Sequence, residues 1–155
     1  GVGPGDRVVG YMPNIPQALV AFLATASLGA VWSSCSPDFG SPSVIDRFQQ
    51  IQPKVLVAVD GYRYGGKAFD RRAAVAEIQA ALPTLEATVL VPYLDAAAAA
   101  DGLSGRVERW PELLATPGEL RYEPVSFDHP LWVLYSSGTT GLPKPIVHSQ
   151  GGILL

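Results

Sequence analysis

Residues 55–59, Val55-Leu-Val-Ala-Val59, form an unbroken run of apolar side chains. A strand that is apolar at every position is typical of a parallel sheet, because helices cover both of its faces. An apolar face at helical spacing precedes the run from residue 41 to residue 51, and another follows it from residue 70 to residue 82. This alternation predicts an α/β fold, with a layered, mostly parallel sheet flanked by helices.

The same alternation continues outward in both directions. We expect a helix after the first strand, with Asn14 as its cap, Pro16 in its first turn and Gly29 at its end. Its predicted apolar face, at helical spacing, consists of Ala18, Leu19, Phe22, Leu23 and Ala26. Residues 95–123 contain an alanine run and several prolines, which indicates a surface excursion within one domain rather than a linker. Strands are predicted at residues 8–12, 30–34, 88–91, 131–135 and 146–148.

Composition restricts the classes of function. The chain has 155 residues, 48% hydrophobic and 16% charged, with a net charge of -3, which is typical of one globular domain. No basic cluster favours a nucleic acid or an anionic membrane surface, and no apolar run is long enough to cross a bilayer. The first residue is Gly1 and the end, at residues 151–155, resembles the first turn of a helix. We therefore expect a piece of a longer protein, truncated at both ends.

Cys35 is the only cysteine, so neither an internal disulfide nor a cysteine-rich metal site is expected. Its neighbours, Val31-Trp-Ser-Ser-Cys-Ser36, resemble the end of a strand. This context favours a buried structural thiol over a nucleophile, and a reducing cytoplasm is consistent with it.

Two glycine- and lysine-containing loops could bind phosphate, and the first is Gly61-Tyr-Arg-Tyr-Gly-Gly66-Lys67-Ala68. Its spacing satisfies the first seven positions of a Walker-type loop. Ala68, however, occupies the position where that loop needs a Ser or Thr hydroxyl to hold magnesium. The segment is better interpreted as an exposed turn with solvated Arg63 and Lys67, and a P-loop NTPase remains the disfavoured alternative.

The second loop is Ser136-Ser137-Gly138-Thr139-Thr140-Gly141-Leu142-Pro143-Lys144, and it lies between two predicted strands. Its hydroxyl groups provide several donors, while Gly138 and Gly141 allow positive φ and a close approach of backbone N–H groups to an anion. Lys144 supplies a full positive charge, which suits a triphosphate. The alternative is a flexible Ser/Thr/Gly surface turn. The predicted phosphate-binding residues are Ser136, Ser137, Gly138, Thr139, Thr140, Gly141 and Lys144.

The stretch Val133-Leu-Tyr-Ser-Ser-Gly-Thr-Thr-Gly-Leu-Pro-Lys144 resembles the signature loop of the adenylate-forming (AMP-binding) superfamily. Pro145 stands where many members have glycine, and the start of the chain resembles the N-terminal domain of the same superfamily. Within it, residues 36–40, 46–51, 53–56, 60–67 and 144–149 resemble the acetoacetyl-CoA synthetase family. The resemblance implies that residues 1–155 are a partial N-terminal domain of an adenylate-forming enzyme.

The resemblance also implies a two-step reaction. ATP and acetoacetate give acetoacetyl-AMP and pyrophosphate, and CoA then displaces AMP; Mg2+ accompanies ATP. Residues 136–141 and Lys144 would steady the β- and γ-phosphates, with Lys144 the catalytic residue of this segment. The adenine, ribose, metal-associated and C-terminal lysine residues would lie beyond Leu155, so the chain alone is expected to be inactive. An acetate or propionate ligase and a non-catalytic nucleotide-binding domain on the same scaffold remain alternatives.

Histidine and tryptophan side chains offer weaker signals. His148 follows the loop and could line the site, although a structural role is favoured, and His129 is expected in a turn. Trp32, Trp110 and Trp132 are expected to pack in or near the core rather than to stack on bases.

Overall fold

The computed structural model describes residues 1–137 and 141–155. The strands, in chain order, are β1 (Arg7–Tyr11), β2 (Val31–Cys35), β3 (Val55–Val59), β4 (Gly61–Tyr64), β5 (Lys67–Asp70), β6 (Ala87–Val91), β7 (Val107–Arg109), β8 (Pro130–Ser136) and β9 (Lys144–Ser149). The helices are α1 (Pro16–Ser27), α2 (Ser41–Phe48), α3 (Arg72–Ala81) and α4 (Trp110–Leu114), with short 3-10 turns at Gln49–Ile51 and Gly152–Leu154.

Seven strands form one sheet in the order β7-β6-β3-β1-β2-β8-β9, and β4 and β5 form a separate hairpin. Every neighbouring pair from β7 to β8 is parallel, and only β9 joins its neighbour antiparallel. The layered, mostly parallel α/β fold predicted from the alternating pattern is confirmed. None of the helices in the described part of the chain is long and apolar enough to span a bilayer.

One face of the sheet is covered by α2 and α3. Val9 and Leu56 of the sheet and Phe48 and Ile78 of the helices are fully buried there. Tyr11 is also buried on this face, and its hydroxyl donates a hydrogen bond that is shared between the carbonyl oxygens of Pro37, at 3.1 Å, and Phe39, at 2.8 Å. The apolar periodicity of both helices therefore packs against the sheet as the sequence predicts.

The opposite face is covered by α1, and an aromatic cluster joins this helix to the sheet. The ring centroid of Phe22 lies 5.1 Å from that of Trp132 and 6.5 Å from that of Trp32. A Cβ atom on Gly10 would lie 2.7 Å from the Trp32 ring, so the strand needs glycine at this position to admit the indole. Trp110 packs against the same cluster, which confirms that the tryptophans have packing roles.

The predicted buried face of α1 is partly wrong. Leu19 and Leu23 are 59% and 55% exposed, whereas the small residue Ala21 and Thr25 are buried against the sheet. The Thr25 hydroxyl donates to the Ala21 carbonyl oxygen at 2.7 Å, which satisfies it inside the helix. Small side chains let the helix lie close to the aromatic cluster, so the larger leucines point outward.

The predicted helix boundaries hold only in part. The residue before α1 is Ile15, without a side-chain cap, so the predicted cap at Asn14 is wrong, while Pro16 occupies the first turn as expected. Gly29 follows the helix with φ +66, the left-handed conformation that glycine adopts at helix ends. Asp70, predicted to open α3, is the last residue of β5, although its carboxylate accepts the backbone N–H of Arg72 at 2.9 Å.

Residues 95–123 contain regular structure that the pattern did not predict. β7 pairs in parallel with β6 and forms the edge of the main sheet, and α4 follows it directly. Each residue of β7 is half-buried and the strand has three residues, so it has neither an alternating nor a continuous apolar pattern. Ala98, within the predicted excursion, is buried.

Candidate functional site at the carboxyl edge of the sheet

The predicted phosphate loop leaves the sheet at the carboxyl end of β8. Since β8 runs parallel to β2, the loop lies at the same edge as the carboxyl ends of β1 and β2. The connection from β1 to β2 passes through α1 on one face, and the connection from β2 to β3 passes through α2 on the other. Open α/β sheets place their ligand sites at this edge, near the point where the strand order reverses.

The structure brings the two ends of the loop together. Ser136 ends β8 and Lys144 begins β9, and the two residues are paired in the antiparallel ladder. Both were predicted as loop residues and are instead the last and first residues of the flanking strands. Ser137, Gly141 and Lys144 are exposed, so they are accessible to an anion from solvent. Gly138, Thr139 and Thr140 lie outside the described residues.

Gly141 adopts φ +141, within the positive range predicted for it. Apart from its chain neighbours, no described residue has a heavy atom within 4 Å of the position that a Cβ would occupy, so the backbone conformation favours glycine here. This glycine turns the chain toward Lys144, which stands three residues later.

The end of α2, meaning its last turn and the 3-10 turn Gln49–Ile51 that continues it, contacts both arms of the loop. The hydroxyl of Tyr135 donates to the carbonyl oxygen of Arg47 at 2.7 Å, just before Ser136. The side-chain amide of Gln50 donates to the carbonyl oxygen of Pro143 at 2.9 Å, just before Lys144. Sequence reasoning missed Arg47 and Gln50, because nothing in an exposed helix end indicates which distant loop it will meet.

Two further contacts secure the base of the loop. The Ser33 hydroxyl donates to the carbonyl oxygen of Val133 at 2.7 Å, which ties β8 to β2. The guanidinium of Arg47 lies 5.1 Å from the ring centre of Phe39 and 5.9 Å from that of Tyr135. A cation over two aromatic faces restrains all three side chains.

Burial controls the ionisation of two groups beneath the loop. It raises the pKa of the Tyr135 hydroxyl to about 12, so this group stays protonated and donates its hydrogen bond at neutral pH. It also raises the pKa of the Cys35 thiol to about 11. Cys35 is buried and reduced, as predicted for a structural thiol.

The glycine-lysine segment at residues 61–67 forms the tip of a hairpin. Tyr64 and Lys67 are paired across a turn in which Gly65 and Gly66 have φ values of +54 and +78. Arg63 and Lys67 are exposed, which confirms the predicted exposed turn. A Walker loop wraps around phosphate between a strand and a helix, and two strands paired across the motif leave no such cradle.

This hairpin borders a cleft of about 280 Å³ at the carboxyl ends of β1 and β2. The cleft therefore opens at the same edge of the sheet as the predicted phosphate loop. Its polar lining comes from three chain segments that are distant in sequence. The residues with polar side chains in the lining include Asn14, Ser36, Asp38, Tyr62 and Arg63.

The two histidines lie away from the loop. His148 is half-buried on β9 opposite Trp132, four residues and therefore about 13 Å along the strand from Lys144. His129 lies in the turn before β8, as predicted, and its Nε2 is 2.7 Å from the carbonyl oxygen of Gly29. Both positions favour structural roles.

Comparison with known proteins agrees with the fold. The model of one family, described as AMP-binding enzyme, matches residues 1–155. This chain belongs to the AMP-binding enzyme family. The resemblance inferred from the signature loop is thereby confirmed for the whole chain.

Two curated relatives and one solved structure that resemble this chain are acetoacetyl-CoA synthetases by name. The chain is 50% identical over 158 residues to an acetoacetyl-coenzyme A synthetase of Rhizobium meliloti, and 43% identical over 166 residues to an acetoacetyl-CoA synthetase of Gallus gallus. A solved structure, acetoacetyl-CoA synthetase from Streptomyces lividans, is 64% identical, with a TM-score of 0.92 over 99% of this chain. The chain spans 24% of the length of both curated relatives and 23% of the solved chain.

Proposed function

We propose that this chain is part of the N-terminal domain of an ATP-dependent acetoacetate–CoA ligase, in which it supplies the phosphate-binding loop. The observation that carries the proposal is the position of the loop: it leaves a parallel strand at the carboxyl edge of the sheet and ends in an exposed lysine, Lys144. The names of the relatives, matched along the whole chain, support acetoacetate as the acyl substrate.

In the proposed reaction, a carboxylate oxygen of acetoacetate attacks the α-phosphorus of ATP, and pyrophosphate leaves. The thiol of CoA then attacks the carbonyl carbon of the adenylate and loses its proton, and AMP leaves. Negative charge builds on the departing pyrophosphate in the first step, so donors and a cation beside it lower the barrier. We assign the donor groups to residues 136–141 and the cation to Lys144.

Mg2+ is proposed only as the counter-ion that arrives with ATP. The described residues contain no group of three or more His, Cys, Asp or Glu side chains that could hold a metal ion. The partners that the proposed reaction requires are small molecules: ATP, acetoacetate and CoA. The loop serves only the phosphates, so we expect no pyrophosphate exchange from the 155 residues alone.

The test is the Lys144→Ala variant of the full-length protein that carries this chain, assayed by ATP–pyrophosphate exchange with acetoacetate. Loss of a cation at the leaving group is expected to lower the exchange rate by about 100-fold or more with the fold intact. Lys67→Ala is the matched control, because Lys67 is another exposed lysine beside a glycine turn. It is expected to leave the exchange rate unchanged.

Three outcomes would contradict parts of this proposal. Unchanged turnover in Lys144→Ala would indicate a nucleotide-binding domain without catalysis, and loss of nucleotide hydrolysis in Lys67→Ala alone would indicate a P-loop NTPase. A preference for acetate or propionate over acetoacetate would leave the adenylating reaction in place but refute the proposed substrate.

A further inference from the structure

The end of α2 holds the two strands of the β8–β9 hairpin at the base of the loop. On one arm, the hydroxyl of Tyr135 on β8 donates to the Arg47 carbonyl oxygen. On the other arm, the Pro143 carbonyl oxygen accepts a hydrogen bond from the Gln50 amide. Tyr135 lies one residue before Ser136, on the strand side of the pair formed by Ser136 and Lys144, and Pro143 lies one residue before Lys144, on the loop side of that pair. The two arms of the loop are thus attached to the same helix end.

The chemistry of a helix C-terminus explains why the end of α2 can bond to both arms of the loop. The last carbonyl groups of a helix lack intrahelical partners and accept hydrogen bonds from other groups. The Arg47 carbonyl accepts from Tyr135, and the Gln50 amide also donates to the Asp46 carbonyl at 2.7 Å. One side-chain amide therefore bridges the helix to the loop.

The helix end is itself a firm anchor. Val44 and Phe48 are fully buried beneath α2 against the sheet. The Arg47 guanidinium donates to the carbonyl and the hydroxyl of Ser43, both at 2.6 Å, on the preceding turn. A group bonded to this turn is restrained by the core.

The arm that carries Lys144 has fewer backbone donors than an ordinary strand. Lys144 stands between Pro143 and Pro145, and a proline has no N–H group to donate. Pro145 is paired with Tyr135, so that position of the ladder lacks a donor on the β9 side. The side-chain bond from Gln50 to Pro143 therefore contributes a larger share of the restraint than it would in an ordinary hairpin.

We propose that Gln50 is a positioning residue for Lys144: its amide fixes the Pro143 carbonyl, and with it the start of β9, to the end of α2. Tyr135 fixes the opposite arm in the same way. The catalytic consequence rests on the proposed function, because Lys144 must meet the phosphates in a defined place for its charge to act during the transfer. The restraint on the hairpin does not depend on that function.

Gln50→Met in the full-length protein tests the proposal, since methionine keeps the length of the side chain and removes the donor. Gln49→Met is the matched control: Gln49 is also an exposed glutamine, but its amide donates to the Ala81 carbonyl at 3.2 Å, away from the loop. Loss of one restraining hydrogen bond is expected to lower ATP–pyrophosphate exchange about three- to tenfold in Gln50→Met. Gln49→Met is expected to stay within about twofold of the parent.

A double-mutant cycle separates positioning from a general structural effect. If Gln50 acts through Lys144, then Gln50→Met changes exchange by less than about twofold in a Lys144→Ala background. Gln50→Lys, whose ammonium group can again donate to the Pro143 carbonyl, is expected to restore most of the activity. Full additivity of the two substitutions would overturn the proposal.

Hydrogen exchange of the amides in residues 141–149, measured by mass spectrometry on the same proteins, gives a result that does not depend on activity. Exchange is expected to be several-fold faster in Gln50→Met and unchanged in Gln49→Met. Equal exchange in the two variants would overturn the restraint, even if the parent showed no adenylation and the proposed function failed. Faster hydrogen exchange with unchanged activity in an active enzyme would overturn the positioning role.

Discussion

Replacing Asp60 with alanine would remove the acceptor of three backbone N–H groups at the end of the sheet. One carboxylate oxygen accepts the N–H groups of Tyr93 and Leu94 at 2.7 and 2.8 Å, and the other accepts that of Asp95 at 2.8 Å. The side chain is buried, with 2% of the residue exposed. The backbone of Asp60 also bonds to Val91 and Arg71, so this residue joins β3 to the end of β6 and to the start of α3.

The expected loss in the free energy of unfolding follows from these three hydrogen bonds. A hydrogen bond to a charged group contributes about 1.5–3 kcal/mol, and three summed independently would contribute roughly 4–9 kcal/mol. Water can reach some of the released N–H groups, because Tyr93 and Asp95 are exposed. We therefore expect Asp60→Ala to lower the free energy of unfolding by about 3–5 kcal/mol. This is a large part of the roughly 5–15 kcal/mol that keeps a typical domain folded.

The assay is urea unfolding followed by tryptophan fluorescence, with thermal unfolding as a second measurement. For a chain of this size the expected loss corresponds to a fall in Tm of roughly 6–20 °C. Asp95→Ala is the control, because among the described residues that exposed carboxylate accepts only a local bond, from the Ala97 N–H at 2.9 Å. If Asp60→Ala were within about 1 kcal/mol of Asp95→Ala, the buried carboxylate would not hold these segments together and the reasoning would be refuted.

Two further predictions concern ionisation. Because burial raises the Cys35 pKa from 9.0 to about 11, its thiol should react with a disulfide reagent at pH 8 about 100-fold more slowly than the unfolded chain. Stability should fall between pH 9 and 11, and less steeply in Cys35→Ala; equal reaction rates would contradict this. The Gly3 N–H and then the Lys54 ammonium lower the pKa of Asp6 from 3.8. Asp6→Asn should therefore lower the free energy of unfolding by less than about 1 kcal/mol at pH 7, and this loss should shrink as the pH falls below 3.8, in unfolding measurements.

Local sequence patterns were sufficient to predict the helices and strands that bury a continuous set of apolar side chains. The run at residues 55–59 predicted a central parallel strand, and β3 lies between β1 and β6 in the sheet. The left-handed glycine after α1 and the proline in its first turn were also predicted, because both depend on backbone geometry within a few residues. β7 was not predicted, since a short, half-buried edge strand has no hydrophobic periodicity.

The buried face of α1 could not be predicted from helical periodicity alone. Leu19 and Leu23 repeat at helical spacing, yet the helix turns Ala21 and Thr25 toward the sheet. The choice depends on the space left above the sheet by Trp32 and Trp132, and Trp132 is far from α1 in the sequence. Periodicity predicts that a helix has an apolar side, but the shape of the surface beneath it decides which residues fit.

The amino-acid sequence by itself predicted the class of fold, which the structure confirms, and the residues proposed to bind phosphate, because both depend on chemistry contained in short segments. A loop rich in hydroxyl groups and glycine, with a lysine at its end, carries its donors and its charge wherever it is placed. Its position at the carboxyl edge, beside β2 and the cleft of the hairpin, was decided only by the order of the strands.

Tertiary structure also decided what holds the loop in place. Gln50 and Pro143 are 93 residues apart in the chain, and Tyr135 and Arg47 are 88 residues apart. Neither pair leaves a signal in local composition or spacing, because hydrogen bonds between distant segments form only after the sheet has brought them together. Lys144 could therefore be predicted from the sequence, whereas the end of α2, which we propose positions it, could be identified only from the tertiary structure.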